Sequence, residues 1–385
     1  MSEINRCAMH VPREKLLDEI KEANERKKET LKKHDREFGA NRPKIGSYME
    51  NIALPELFNF DMNDYYHNAE LAMDIDLRYK LFWLDNSHDD GLASLEVNAG
   101  SMYYDTTLFG LKINYTKEGV PVFERHPMAE NPDILQLAPY DFYNTGEMPM
   151  VHKRYKDLKK ISEDLYNGEI KVTFPYFGRG PLDIYVQLRE YEGFLEDCAD
   201  NPEYVHELLD YIVEARFRYN KLRAEFLGID LPSTTTIDDD WINVPFISPS
   251  IFEKFVLPAY RKIQEKEGAV TKFHTCGVYG PLLKGLSDTF DKMEAIDISG
   301  WNNVTEVDKL ARPDIKFHIA YINTFVLTGS REEHRVALEA AKEVVKHRKA
   351  TINSQAIVRL LGTVDESLFA MNRFIDLARA VMAEA

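Results

Sequence analysis

A histidine and a cysteine stand two residues apart in the segment FHTCG, residues 273–277, at the end of an apolar run. On a β-strand, side chains two residues apart point to the same face. A neutral imidazole and a thiolate on one face are typical zinc ligands. The pair therefore predicts two metal ligands, His274 and Cys276, with His274 also in a catalytic role. A buried thiol beside a hydrogen-bonded histidine is the structural alternative.

Three consecutive acids, Asp238, Asp239 and Asp240, follow the β-prone run STTTI. Carboxylates this close repel one another unless a positive group lies nearby. Strand alternation places Asp238 and Asp240 on one face and Asp239 on the other. We predict that Asp238 adds an oxygen ligand to the metal. For Asp240, an exposed acidic loop or a helix N-cap is favoured.

Glu253 lies in SPSIFEKF, early in the helix predicted after the acidic run. A carboxylate at this junction could supply a further metal ligand from a neighbouring element. The alternative is a capping box, because Ser250 precedes Glu253 by three residues and an acid in a first turn also suits the helix dipole.

Aromatic residues at predicted strand ends could line a flat apolar pocket, although most aromatic residues belong to the core. The predicted substrate-binding residues are Tyr176, Phe177, Tyr185 and Trp241.

The 385 residues carry 48 Lys and Arg against 64 Asp and Glu, a net charge of −16. A surface this acidic repels phosphate backbones, which argues against a nucleic-acid partner. Three cysteines in a chain of this length indicate a reducing, cytoplasmic setting without a disulfide framework. The N-terminus lacks the apolar core of a signal peptide, and no run approaches the roughly 20 apolar residues of a membrane span. We therefore expect a cytoplasmic protein with no membrane partner.

Short β-prone runs alternate with longer helical ones along most of the chain. The candidate strands are residues 44–48, 94–98, 170–176, 233–238, 269–275, 292–298, 315–320 and 350–354. Several are apolar on consecutive positions, as in parallel strands buried on both faces. This order predicts an α/β fold, a closed (β/α)₈ TIM-type barrel with its chemistry at the strand C-termini. A doubly wound sheet is the alternative, but no G-x-G-x-x-G follows a strand.

Two segments depart from this alternation. Residues 12–38 are helical in period and dense in charge, which predicts an N-terminal helical extension. Residues 110–125 predict an inserted β-hairpin with a turn at residues 117–119. No linker divides the chain, so we expect a single domain over residues 1–385, with a helical arm over 1–42 and the barrel over 43–385.

Four segments in order resemble the uroporphyrinogen decarboxylase-like superfamily, from about residue 43 to residue 383. They read GPLDIYVQLREYEGFLEDCADNPEYVHELLDYI, DDDWINVPFISPSIFEKFVLPAYRKI, KFHTCG and LLGTVDESLFAMNRFIDLA. The resemblance implies a (β/α)₈ barrel. Porphyrin decarboxylases of this superfamily carry an arginine-rich R-Q-A-G-R segment after the first strand. Here that region reads KIGSYMENIALPEL, without arginine, which argues against decarboxylation of a porphyrinogen.

The other large branch contains zinc methyltransferases that work with corrinoid proteins. Members that methylate a thiol use His-x-Cys and a later cysteine. His274 and Cys276 match the pair, but the later segment reads ATINSQAIVRLLGT, with Ser354 or Gln355 near the place of the cysteine. A thiol methyltransferase is therefore the alternative, and a metal-independent decarboxylase is another.

Aryl methyl ether demethylases of the superfamily are more similar, because one variant has an acid-x14-Glu-x20-His zinc pattern. Asp238, Glu253 and His274 reproduce this spacing. The resemblance implies Zn²⁺, a small-molecule methyl donor and a corrinoid (cobalamin) on a partner protein that receives the methyl group. Asp239 is then the candidate acid that protonates the leaving phenolate. The sequence leaves the oligomeric state open, with a homodimer as one option.

Overall fold

The structure is a computed structural model that describes residues 4–50, 53–117, 121–133, 137, 140–357 and 360–383. Its strands are β1 (Lys44–Gly46), β2 (Glu96–Asn98), β3 (Ile113–Asn114), β4 (Val122–Phe123), β5 (Lys171–Thr173), β6 (Thr234–Asp238), β7 (Ala269–His274), β8 (Ala295–Ser299), β9 (Lys316–Tyr321) and β10 (Ala350–Ser354).

Helices fill most of the remaining described chain. They are α1 (Leu16–Phe38), α2 (Leu54–Phe58), α3 (Met62–His67), α4 (Ala69–Asn86), α5 (Tyr104–Thr107), α6 (Met148–Tyr166), α7 (Pro181–Arg189), α8 (Tyr191–Asp200), α9 (Pro202–Leu227), α10 (Pro249–Ile251), α11 (Leu257–Glu267), α12 (Leu283–Thr289), α13 (Val304–Leu310), α14 (Asn323–Thr328), α15 (Arg331–Val345) and α16 (Val364–Ala383). A π-helical turn, Phe252–Val256, joins α10 to α11. The described residues also form three 3₁₀ turns, Cys7–Met9, Arg13–Lys15 and Gly280–Leu282.

The sheets form the predicted (β/α)₈ barrel. Six parallel strands pair in the order β1-β10-β9-β8-β7-β6, and β2 pairs in parallel with β5. The chain after β5 joins the larger sheet, because the amide of Asp238 donates to the carbonyl of Gly178 at 3.1 Å and Gly180 donates to the carbonyl of Asp238 at 2.6 Å. Near β2, the amide of Asp90 donates to the carbonyl of Ile45 in β1 at 2.8 Å.

The N-terminal helical extension is present as α1, which packs against α4 and α16. The inserted hairpin is also present, because β3 and β4 pair antiparallel. Lys117, the first residue of the predicted turn, is described, whereas residues 118 and 119 lie outside the described residues. The division into an arm and a barrel at residue 42 stays a prediction.

The strands differ from the expected burial on both faces. In β9, buried and half-buried residues alternate, and the half-buried positions include His318. The apolar face packs against helices, as Phe273 of β7 does against Tyr260 of α11. The inner face is polar instead, with His318 Nδ1 2.8 Å from Thr351 Oγ1 on the next strand. The barrel interior is therefore lined by side chains that water and ligands can reach.

No helix in the described part of the chain has the length and apolarity that crossing a membrane requires. All three cysteines are free thiols, as predicted.

Candidate metal centre at the barrel mouth

Three side chains converge where β6 and β7 end. Asp240, His274 and Cys276 each offer one ligand atom, and these atoms all lie within 4.8 Å of one another. His274 Nε2 is 3.2 Å from Asp240 Oδ1 and 3.6 Å from Cys276 Sγ. A tetrahedral zinc ion with ligands at about 2.0–2.3 Å separates its N, O and S atoms by roughly 3.3–3.6 Å. The donor set and its spacing therefore fit zinc.

The main chain fixes the spacing of these donors. Asp238 and His274 are in register across β6 and β7, and the amide of Asp239 donates to the carbonyl of His274 at 2.9 Å. Gly277 lies so close to the turn after β6 that an added Cβ would be 2.1 Å from the carbonyl oxygen of Ile242. Only glycine allows this approach, so the two strand ends stay together.

The neighbouring strand β8 orients the imidazole. His274 Nδ1 lies 2.6 Å from Asp297 Oδ2, and Lys272 Nζ lies 3.2 Å from the same oxygen. A hydrogen bond from Nδ1–H to a carboxylate selects the tautomer whose Nε2 is free to bind a metal. Asp297 therefore presents Nε2 to Asp240 and Cys276.

Electrostatics at the centre favour a cation. Burial opposes an imidazolium, yet hydrogen bonds with Asp240 and Asp297 raise the pKa of His274 above its ordinary value. Burial acts against ionisation of Asp240 and Asp297, but the contact with His274 lowers the pKa of both carboxyls. Burial raises the pKa of the Cys276 thiol, whose ionisation a metal ion would promote. The carboxylates that stabilise a protonated imidazole also suit a metal cation.

Solvent reaches this centre. The Asp240 side chain is 45% exposed and that of His274 is 33% exposed. Cys276 is also exposed. Open coordination positions are what distinguish a catalytic zinc site from a closed structural one. Of the residues that the structure describes, no other group of three His, Cys, Asp or Glu converges in this way.

The predicted alternation of the acidic run agrees with the structure, but the roles of its members change. Asp238 is level with His274, and burial raises its pKa against the charges of His274 and Lys272. Asp238 is not part of the three-residue cluster. Asp240, which lies just beyond the strand end, brings its carboxylate to Nε2 instead. Asp240 thus takes the place that the sequence prediction gave to Asp238.

Asp239 points away from the mouth. It is fully buried, and its Oδ2 accepts hydrogen bonds from the amide of Leu182 at 3.1 Å and from the hydroxyl of Tyr260 at 2.9 Å. Burial raises the pKa of this carboxyl well above its usual range. A carboxyl enclosed between α7 and α11 has no path to a ligand at the mouth. Its position does not suit the catalytic role predicted for it and indicates a structural role.

Glu253 lies apart from the cluster as well. It is exposed in the π-helical turn before α11, and its charge acts on Lys284 of α12. The proposed capping box with Ser250 is absent, because Ser248 caps this helix by accepting from the amide of Ile251 at 3.2 Å. The spacing that matches the demethylase pattern therefore does not bring Glu253 to His274.

Three of the four predicted substrate-binding aromatics are packing residues. Phe177 and Tyr185 are fully buried, and the Tyr185 hydroxyl donates to Asp197 at 2.7 Å. The Tyr176 hydroxyl lies 2.9 Å from Thr235 Oγ1 on the outer face of β6. Trp241 differs, because it follows Asp240 and is 42% exposed at the rim.

Sequence reasoning missed Asp297, Lys272 and Tyr48. Asp297 alternates with Ile296 and Ile298, and Lys272 precedes His274 by two residues, so strand period 2 carried a signal for both. Tyr48 follows β1, and the charges of His274 and Cys276 act on its phenol, whose pKa desolvation raises to about 12. No comparable period extends into the loop that holds Tyr48.

Ser354, one of the two positions considered for the missing second cysteine, lies outside the centre. Ser354 is buried, and its hydroxyl is 2.6 Å from that of Ser47. Ser47 also contacts Met371 of α16, so this pair belongs to the layer between the strands and the helices. Asp240 supplies the third donor of the candidate cluster.

Fold and site together define a (β/α)₈ barrel with a candidate metal centre at the C-terminal ends of its strands. The profile of the uroporphyrinogen decarboxylase (URO-D) family matches residues 44–359, and the chain belongs to this family. No curated protein sequence matches the chain. Among solved structures, a methyltransferase from Methanosarcina mazei is similar, with a TM-score of 0.61 and 18% sequence identity over 87% of this chain and 94% of that chain. This likeness shows the shared fold.

Proposed function

We propose that the protein is a zinc-dependent methyltransferase that cleaves a methyl ether, in particular of a methoxylated aromatic compound. The methyl group would pass to the Co(I) corrinoid of a partner protein. The convergence of Asp240, His274 and Cys276 at the open end of the barrel carries the proposal. Membership of the URO-D family and the methyltransferase with the same fold support it.

Zinc would be held by Asp240, His274 and Cys276, and it would act as a Lewis acid toward the ether oxygen. The chain supplies the positioning. Asp297 holds the imidazole through Nδ1, and Lys272 holds Asp297 in turn. Such outer partners fix the orientation of a ligand before substrate arrives.

The rim supports a flat apolar donor and a partner. Trp241 follows β6 and Trp301 follows β8, so the two indoles flank the end of β7. Trp301 is 62% exposed. Exposed tryptophans of this kind commonly contact ligands or partner proteins. A corrinoid protein docked over this rim would face the metal centre.

The test combines metal analysis with a transfer assay. Zinc should copurify at one ion per chain, and His274→Ala should abolish it, whereas His88→Ala should not, because His88 pairs with Asp376 on the surface. The zinc-loaded protein should transfer methyl groups from 2-methoxyphenol to Co(I) cobalamin. One zinc ion per chain in the His274→Ala variant would show that zinc does not bind at the proposed centre. Faster methyl transfer to a thiol than to cobalamin would favour the alternative of a thiol methyltransferase. Decarboxylase activity that a chelator does not inhibit would overturn the proposal.

A further inference from the structure

A cavity of about 440 Å³ lies at the N-terminal end of the barrel, opposite the metal centre. The loop before β1, the loop between α15 and β10 and the first residues of β9 and β10 line it. Seven of the described lining residues are Lys, Arg or His, and none of the described lining residues is Asp or Glu. The whole chain carries a net charge of −16, so this concentration of positive charge runs against the composition.

Three lysines of the cavity lie at the start of adjacent strands, Lys44 in β1, Lys316 in β9 and Lys349 immediately before β10. The amide of Phe317 donates to the carbonyl of Lys349 at 3.0 Å, which sets Lys349 beside Lys316 across β10 and β9. Lys44 of β1 pairs with Thr351, two residues after Lys349. Like charges in adjacent cross-strand positions destabilise a sheet.

The arginines of the cavity are already neutralised, but these lysines are not. Arg42 pairs with Asp90 at 2.5 Å, and Arg348 pairs with Asp308 at 2.5 Å. Within the described ranges, Lys44, Lys316 and Lys349 have no ion pair. Lys316 lies on the same face of β9 as His318, because the two residues are two positions apart and alternate with buried Phe317.

We propose that this cavity binds a phosphate group, with Lys44, Lys316 and Lys349 as its ligands. Three flexible ammonium groups can surround a tetrahedral oxyanion, and charge-assisted hydrogen bonds are the strong class. The phosphate can be inorganic or belong to a small phosphate ester. The site lies at the other end of the barrel from the metal centre and does not depend on the proposed function.

Two physical consequences follow. Phosphate should raise the melting temperature by mass action, because it binds the folded chain. Replacing Lys316 and Lys349 by glutamine should remove both the repulsion and the ligand. The double variant should therefore melt at a higher temperature than the wild type at low ionic strength, and it should no longer respond to phosphate.

The experiment compares inorganic phosphate and adenosine monophosphate with chloride at equal ionic strength, using the wild type as purified. Calorimetric titration and thermal melts should show binding that Lys316→Gln/Lys349→Gln weakens by about tenfold or more. Lys160→Gln is the matched control, because Lys160 is exposed on α6 and has no ion pair in the described chain. Binding of the ester but not of free phosphate would identify an organic ligand at the same site.

A measurement on the wild type alone avoids reliance on the variants. Phosphate should protect Lys44, Lys316 and Lys349 from an amine-modifying reagent, read by mass spectrometry, and leave Lys160 unprotected. If phosphate left the modification of Lys44, Lys316 and Lys349 unchanged, as it should for Lys160, the proposal would be overturned. So would phosphate binding that is lost in His274→Ala and kept in the lysine variant, because that result places the anion at the metal centre. A response to chloride equal to that to phosphate shows screening alone and also overturns it.

Discussion

Aspartates lie on both faces of the strands around β6, but their surroundings differ between the two faces. On the inner face, Asp240 and Asp297 are hydrogen-bonded to His274, are open to solvent in part and have lowered pKa values. On the outer face, Asp239 is fully buried and has a raised pKa. The outer carboxyl contacts a backbone amide and a tyrosine of the helix layer, whereas the inner ones contact an imidazole that can bind a metal.

This difference separates the residues of the candidate metal centre from those that stabilise the fold. A polar side chain with access to solvent and a charged neighbour can exchange its proton for a ligand. A polar side chain enclosed by helices can only hold the layers together. Inner substitutions should therefore alter metal binding and catalysis, and outer ones should alter the free energy of unfolding.

The largest effect is expected for His274→Ala on the inner face. Losing the central donor should remove zinc and reduce methyl transfer by more than about 10²-fold, the upper limit for an outer partner of a metal ligand. The melting temperature of the metal-free variant should fall only slightly, because Lys272 still pairs with Asp297 and solvent reaches Asp240. Metal content, transfer rate and thermal melts check this. A large loss of stability in the metal-free variant would contradict the proposal that inner-face residues act in metal binding and not in stability.

Arg216→Met should give the largest effect on the outer face. Arg216 of α9 is fully buried, pairs with Glu267 at 3.0 Å and donates to the carbonyl of Gly178 at 2.8 Å. Removing one member of a buried pair costs about 3–5 kcal/mol. Urea unfolding should show this loss, while Arg218→Met, exposed on the same helix, should be near neutral. Unchanged stability in Arg216→Met would contradict the structural role of this network.

Asp297→Asn tests the positioning of His274. An amide in place of the carboxylate weakens the hold on Nδ1 and should lower zinc affinity by about 10–100-fold. The absorption spectrum of the Co²⁺-substituted protein should keep its thiolate band, because Cys276 remains a ligand. Asp297→Glu should restore part of the affinity. An affinity equal to that of the wild type in Asp297→Asn would show that Asp297 does not position the ligand.

The smallest effect is expected for Asp239→Asn. Burial favours the neutral form of this carboxyl, and an asparagine oxygen can accept from the same Leu182 amide and Tyr260 hydroxyl. Stability should change by about 1 kcal/mol or less. Zinc content and methyl transfer should equal those of the wild type. A folded Asp239→Asn protein without transfer activity would restore the catalytic role first predicted for this residue.

Sequence periodicity predicted the fold well because the strand and helix patterns report burial. It predicted the barrel, the hairpin, the N-terminal helix and the shared face of His274 and Cys276, which the structure also brings together. It also separated Asp239 from Asp238 and Asp240 correctly. These are properties of regular backbone, where each residue's direction follows from its neighbours.

The identity of the third donor could not be predicted in the same way. Strand alternation placed Asp238 and Asp240 on one face, but it could not tell which of them reaches His274, because Asp240 lies past the last paired residue of β6. The spacing to Glu253 counted residues across a loop and a π-helical turn, and the structure leaves Glu253 out of the cluster. The predictions for Tyr176, Phe177 and Tyr185 were wrong for another reason, since composition does not tell which face of a strand end meets the helices.

The hydrogen bond from the amide of Asp239 to the carbonyl of His274 has one more consequence. Backbone atoms set the distance between the two strand ends, so a donor side chain should be replaceable without moving the strands. Replacing Cys276 by histidine, or Asp240 by cysteine, should retune the preference of the centre among first-row metals, since donor softness and geometry govern that choice. The barrel would thus serve as a ready scaffold for engineering new metal selectivity.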